Sequence, residues 1–253
     1  MPDPASGSPI LLDDPSGVER ILVVTAHPDD VDFGVAGSVA TWVKAGIAVA
    51  YCIVTDGDAG GSDRTITRAE MATIRRDEQR GAAAEVGVTD VTFLGYPDGR
   101  LVSSIELRRD ISRQVRIHRP ERLVCQSPDR MWERLGASHP DHLAAGEAAV
   151  CAAYPDARNP FAHPELLDVE RLEPWTVPEL WIMGPPGTTD VTIAVETTGT
   201  VERKVEALMC HKSQIGDPEG IRQRVLAGAL AGGERAALPE GSSAELYRVT
   251  RIP

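Results

Sequence analysis

Two short stretches, His27-Pro28-Asp29-Asp30 and His139-Pro140-Asp141-His142, hold side chains of the types that can bind a divalent cation and move protons beside it. His139 and His142 stand three residues apart at a helix-start signature, so both rings lie on one side of the first turn. In the first stretch a proline-containing turn can aim its adjacent carboxylates differently, one toward a metal and one toward its water. Two imidazoles and one carboxylate with an open fourth position make a catalytic zinc set. Zinc lowers the pKa of bound water to about 7, and a neighbouring carboxylate can take the proton. A further imidazole, oriented by a carboxylate such as Asp141, can donate to an oxyanion or a leaving amine. Those are the parts that amide hydrolysis needs. Read singly, each stretch is also an ordinary turn or helix start; two of them at matching places favour a joint site.

Those places follow from the elements around them. Apolar Ile21 to Ala26 reads as a buried strand, Gly34 to Ala45 as a helix and Ile47 to Thr55 as a second strand, a βαβ opening. Thr67 to Val86 is a long helix ended by Gly87; Val91 to Leu94 and Arg122 to Cys125 are strands flanking a basic amphipathic helix, Ile105 to His118, whose charged face reads as solvated. Ser138 caps an Ala-rich helix that runs to about Ala153, with Pro140 in its first turn. Both stretches therefore stand where a strand's carboxyl end feeds a helix, the edge at which open α/β sheets bind ligands. Later come Leu180 to Met183 and Val191 to Val195 as short strands with a turn at 184–187 between them, a helix from Thr200 to Cys210, another from Glu219 to Ala231, and a last strand through Leu246 to Val249. His211 reads as a helix-end residue favoured by the dipole. The acidic loop Asp56 to Asp63 either borders the pocket or is solvated, and the Pro-rich run Tyr154 to Pro178 has the length of a lid or pocket wall.

The fold class expected is α/β, a Rossmann-like, mostly parallel sheet flanked by helices, with residues 1–20 as a flexible arm and 21–253 as one domain. A formal net charge of −12 opposes nucleic acid and anionic bilayers as partners. No apolar run approaches the roughly 20 residues of a membrane helix, and the first residues lack a basic, then apolar, leader, so the expected location is the cytoplasm. Cys52, Cys125, Cys151 and Cys210 show no CxxC spacing; Cys52 and Cys125, in apolar runs, read as buried hydrophobes.

Ala26-His27-Pro28-Asp29-Asp30 followed by His139-Pro140-Asp141-His142 resembles the LmbE-like, or PIG-L, zinc-dependent deacetylases. Lesser similarities lie at Arg75-Arg76-Asp77-Glu78, Tyr96-Pro97-Asp98-Gly99-Arg100-Leu101 and His211-Lys212-Ser213-Gln214. The resemblance implies His27, Asp30 and His142 as ligands of one Zn2+ and Asp29 as general base. It implies His139 as the group that stabilises the oxyanion and protonates the amine, Asp141 as its orienting partner, and Arg75 and Asp98 as substrate-binding groups. For Arg75 an ion pair with Glu78 three residues on is the competing reading, and ferrous iron also suits two histidines and a carboxylate. Asp32 is left at the pocket edge without a role. The implied substrate is a small N-acyl amino sugar or conjugate, most often N-acetylglucosamine-type, in a homo-oligomer, a trimer or hexamer. The alternatives are a mycothiol-S-conjugate-type amidase and a non-catalytic metal-dependent sugar-binding protein.

Overall fold

Ile21 and Val23 point to one face of the first long strand and Leu22 and Val24 to the other, and all four are buried. Such two-sided burial belongs to a parallel strand covered by helices on both faces. The computed structural model describes residues 9–132, 135, 138–184 and 190–253; residues 185–187 of the turn expected at 184–187 and the first residues of the arm lie outside these. Its strands are Leu11–Leu12 (β1), Arg20–Thr25 (β2), Ala48–Thr55 (β3), Asp90–Tyr96 (β4), Arg122–Cys125 (β5), Glu179–Met183 (β6), Ile193–Glu196 (β7) and Ala244–Arg251 (β8). They form one eight-stranded sheet in the order β1-β7-β8-β6-β5-β2-β3-β4. From β6 to β4 all pairings are parallel; β8 runs antiparallel to both β6 and β7.

The chain builds outward from β2 through β3 to β4, then returns to lay β5 on the other side of β2. The strand order thus reverses between β2 and β5, and a crevice opens there at their carboxyl ends. Helices Ala36–Lys44 (α2), Arg68–Glu85 (α3) and Val201–Met209 (α7) contribute to the core on one face of the sheet, and Ile105–His118 (α4) and Pro140–Cys151 (α5) to that on the other. Asp30–Gly34 (α1) is a short turn of helix, Pro164–Asp168 (α6) another, and Pro218–Arg235 (α8) packs on β8. The single helix expected over 34–45 is thus two, interrupted at Val35. Among the described residues no helix is long and apolar enough to cross a membrane. Cys52 and Cys125 are buried in the strands, as expected.

Three expectations change. The basic face of α4 is not solvated: Arg108 forms a two-pronged pair with Asp156, Arg113 pairs with Glu170, and buried Arg116 donates to the carbonyls of Ala157 and Asn159. That face holds down the Pro-rich run after Tyr154, which is therefore tied to α4. Within the arm, β1 pairs with β7, and the Asp13 carboxylate accepts from Trp42 Nε1 at 2.9 Å and from buried Arg122. Ordering that composition alone argues against is supplied by a buried cation. The N-cap of α5 is His139 rather than Ser138, its Nδ1 accepting from the Asp141 amide.

Arg122 also lies 4.3 Å over the Trp181 ring, beside Trp42 and Tyr247, so the aromatic cluster and the buried ion pairs support each other. Trp42 is fully buried, and Trp42→Ala should cost about 3–5 kcal/mol of unfolding free energy. Urea denaturation reads this as a lower midpoint at an unchanged slope. A loss below about 0.5 kcal/mol, the range of surface substitutions, would show that the cluster does not hold the sheet's amino end.

Candidate active site

At the carboxyl end of β2, Ala26 N–H donates to Gln126 Oε1 at 2.9 Å, tying the exit of β2 to that of β5. His27 follows, and the turn through Pro28 places Asp29 at φ 91°, a conformation disfavoured for a non-glycine residue. Two contacts hold it: Asp29 N–H donates to Gln79 Oε1 at 2.7 Å, and Arg75 Nη2 donates to Asp29 Oδ2 at 2.9 Å. On the β5 side, α5 is seated by Gly146, where a Cβ would come within 2.5 Å of the Gln126 carbonyl oxygen. That close approach brings His139 and His142, on the first turn of α5, to the turn after β2.

The rings meet there. The centroids of His27, His139 and His142 are 5.0 to 5.4 Å apart. Asp30 sits between two of them, with Oδ2 3.2 Å from His27 Nδ1 and Oδ1 3.1 Å from His142 Nε2. On its other side His27 Nε2 is 3.2 Å from both Asp98 Oδ1 and Asp141 Oδ2. Among the described residues two groupings have donor atoms within 4.8 Å of one another, His27 with His139 and His142, and His27 with Asp98 and Asp141. Asp30 stands in neither, and its Oδ2 also accepts from His27 N–H at 2.7 Å. His139 Nδ1 is already engaged by the Asp141 amide; Asp98 Oδ2 accepts from Ala59 N–H, and the Asp141 oxygens accept from Gly99 and Leu101 N–H. His27 Nδ1 and His142 Nε2 each face a different Asp30 oxygen, and a hydrogen on His27 Nε2 shared with the carboxylates behind it would leave the Nδ1 lone pair toward Asp30.

The electrostatics agree with a cation. Burial works against a proton on His27, yet bonding to Asp30 and Asp98 pushes its pKa up to about 11. Burial also opposes the charge on Asp30, and His142 and His27 nonetheless hold it well below the usual carboxylate range. The proton that the carboxylates draw onto His27 occupies the place of positive charge that a metal would bring, and a metal binds by displacing it. Asp29 differs: burial, then the neighbouring Asp30 charge, raise it to about 7 against the pull of Arg75. Exposed His139 is depressed, by burial and by the positive His27. Its Nδ1 accepts a backbone hydrogen, so the neutral ring carries its own hydrogen on Nε2.

The expected residues come together, and the contacts of some differ from those expected. The Asp141 carboxylate faces His27 and the loop after β4 rather than His139, because two backbone N–H groups of that loop claim it. Arg75 is only 4% exposed and does not pair with Glu78. It donates to the carbonyls of Gly57 and Pro28 and to Asp29, packed under Gly57 and Gly60 so closely that neither could carry a side chain. Glu78 instead accepts from Ser213. The acids of the 56–63 loop are engaged elsewhere, Asp56 by Arg76 and Asp58 by Arg68.

Sequence reasoning missed Asp32, Gln79 and His211. Asp32 and His211 are fully buried, Oδ2 to Nε2 at 2.8 Å, and Gln79 donates from Nε2 to the same Asp32 oxygen while its Oε1 holds the Asp29 amide. His211 is therefore not a dipole-favoured helix end but the base of a chain leading to the Asp29 turn. Its one sequence signal is the His211-to-Gln214 segment that the resemblance picks out.

A family model described as "PIG-L: GlcNAc-PI de-N-acetylase" matches residues 22–153. Diacetylchitobiose deacetylase of Thermococcus kodakarensis is 29% identical over 208 residues, spanning 81% of this chain and 72% of the relative. A probable N-acetyl-alpha-D-glucosaminyl L-malate deacetylase 2 of Bacillus anthracis is 30% identical over 203 residues, 77% of this chain and 81% of the relative. Among solved structures, N,N'-diacetylchitobiose deacetylase from Pyrococcus horikoshii, complexed with an inhibitor, aligns with a TM-score of 0.84 at 27% identity, covering 94% of this chain and 85% of that one.

Arg75 lowers the Asp29 pKa, so Arg75→Met should raise it. Carbon-detected NMR titration of the metal-free protein should find the Asp29 transition near pH 7 in the wild type and at higher pH in the variant, on the order of tenfold in proton affinity. An unmoved transition would show that the pair observed at 2.9 Å does not govern Asp29.

Proposed function

This chain belongs to the PIG-L family, and we propose that it is a metal-dependent amide hydrolase, deacetylating an N-acetylglucosamine-type sugar or sugar conjugate. The observation that carries this reading is the gathering, at the crevice between β2 and β5, of His27, His139 and His142, with Asp30 between His27 and His142 and Asp29 next to it in the same turn. We read residues 21–253 as one domain, acting in the cytoplasm on a small N-acyl amino sugar, in a trimeric or hexameric assembly.

The donor set fits a divalent ion: two ring nitrogens on either side of a carboxylate, with Asp29 and Asp98 facing Arg75 and Asp141 facing His27. His27, Asp30 and His142 would hold it, and zinc, the ion this reading favours over ferrous iron, supplies Lewis-acid polarisation of the amide carbonyl and of water. Asp29, with its pKa near neutrality, is suited to take the proton of an attacking water and then return it to the departing nitrogen. His139, neutral with its hydrogen on Nε2, is suited to donate to the carbonyl oxygen as that oxygen becomes negative. Water adds to the carbonyl carbon, the C–N bond breaks, and a carboxylic acid and an amine result. Asp98 and Asp141 orient His27, and Arg75 holds Asp29 and its turn. The buried positions of Arg75 and Asp98 support these positioning duties over contact with substrate hydroxyls.

Zinc-loaded protein should release acetate from N-acetylglucosamine derivatives. Asp29→Asn should keep its metal and lose about 10²- to 10⁴-fold in turnover, whereas His142→Ala should lose metal and turnover together, by metal analysis and acetate assay. Full activity in Asp29→Asn would overturn the base assignment. Protein that holds metal and a sugar, yet releases no acid from acetylated sugars or mycothiol-type conjugates, would be a binding protein instead.

A further inference from the structure

A cavity of about 410 Å³ opens beside Asp30 and His142 and runs away from them between α1, the carboxyl end of β6, β8 and α8. Its walls are largely apolar, with Phe33, Met131, Met183, Val225, Ala229 and Leu246 among them. Of the charged groups that line it besides Asp30, Glu245 pairs with Lys204, Asp129 pairs with Arg248, and Arg235 belongs to the α8 wall. Glu245 accepts from Gly37 and Ser38 N–H and from Lys204 Nζ at 2.5 Å, and Lys204 also reaches the Gly34 carbonyl. Such a pair presents little unmet hydrogen-bonding capacity to an incoming group, so the space suits hydrocarbon. Asp29, Arg75, Asp98 and His139 do not line it.

That separation orients a substrate. The departing nitrogen takes its proton from Asp29 and must face it, while the carbonyl oxygen faces His139. The acyl carbon's other substituent then projects past Asp30 and His142, toward the cavity. An acetyl methyl would leave nearly all of this space unfilled, while pockets of a few hundred Å³ suit groups many heavy atoms long. Resting on the amide-hydrolase reading above, we propose that the cavity is an acyl-chain subsite and that the protein prefers N-acyl amino sugars whose acyl group is longer and more apolar than acetyl. The reaction is unchanged: water adds, the C–N bond breaks, and the product is a medium-chain carboxylic acid with the free amino sugar.

The test uses zinc-loaded enzyme and N-acetyl-, N-butanoyl-, N-hexanoyl- and N-octanoylglucosamine, with the methyl and octyl glycosides of N-acetylglucosamine as the second arm. Each methylene that enters an apolar site can contribute about fourfold, so kcat/KM should rise at least tenfold from acetyl to hexanoyl. The glycoside pair should differ little. Gly228 lines the cavity and a Cβ there meets nothing within 4 Å. Gly228→Leu should therefore occupy the space, and its thermal midpoint should not fall, since leucine is the better helix former. In that variant the ratio of hexanoyl to acetyl kcat/KM should drop at least tenfold. Calorimetric binding of octanoate against acetate reads the same cavity without catalysis, and octanoate should bind at least tenfold tighter in the wild type and lose that advantage in Gly228→Leu. Acetate release with a flat chain-length series and equal binding of the two acids would overturn the subsite and leave the hydrolase reading intact. Octanoate preference without hydrolysis of any amide would sustain the subsite and overturn the hydrolase reading. A gain from the octyl glycoside alone would assign the cavity to the amine side and overturn the acyl assignment.

Discussion

The parallel pairing of β2 with β5, Ile21 to Val24 against Arg122 to Cys125, is the constraint from which the rest of the site follows. It sets two strand exits side by side at the place where the sheet's order reverses, so residues 114 positions apart, His27 and Asp141, come within 3.2 Å. The Ala26 to Gln126 bond fixes the exits in relation to each other, and Gly146 lets α5 descend onto the backbone beyond β5. Were the helix to ride higher by the width of a methyl group, His142 would leave Asp30. The apolar burial on both faces of β2 and β5 thus acts on chemistry through position alone.

Upon that frame the site gathers more negative charge than its own side chains neutralise. Carboxylates at 29, 30, 98 and 141 surround His27, and Arg75 is pinned between Asp29 and backbone carbonyls. Each aspartate answers its surroundings differently. Asp30, between two imidazoles, is held ionised; Asp98 is lowered by its contact with His27 despite burial; Asp29, buried beside Asp30, is raised toward neutrality. Environments of this kind set the charge states of neighbouring carboxylates apart. The unusual backbone of Asp29 belongs to the same arrangement, since its amide and carboxylate are gripped from α3 by Gln79 and Arg75.

Much of this was legible in the chain itself. The apolar runs of β2, β3 and β5 are short and bounded by turns, and the two His-Pro-Asp motifs stand directly after strands. Local pattern was sufficient for those. What escaped depends on long-range packing: the insertion of β8 between β6 and β7, the grip of α4 on the Tyr154 run, and the anchoring of Asp13 on Arg122. His211 and Asp32 escaped for the same reason, because a histidine after a helix looks the same in sequence whether α7 carries it to solvent or into the core against α1. Arg75 and Asp98 were visible as residues but not their burial or their contacts with Asp29 and His27, because burial is not a local property.

The central claim is that the two strand exits build one cation site from His27, Asp30 and His142. Its most direct test is a crystal structure of zinc-soaked protein with anomalous scattering recorded across the zinc edge. The account predicts one strong peak per chain, about 2.0–2.2 Å from His27 Nδ1, an Asp30 oxygen and His142 Nε2, with Asp29 and His139 outside direct coordination. A peak among His27 Nε2, Asp98 and Asp141, or no peak at the crevice, would contradict it.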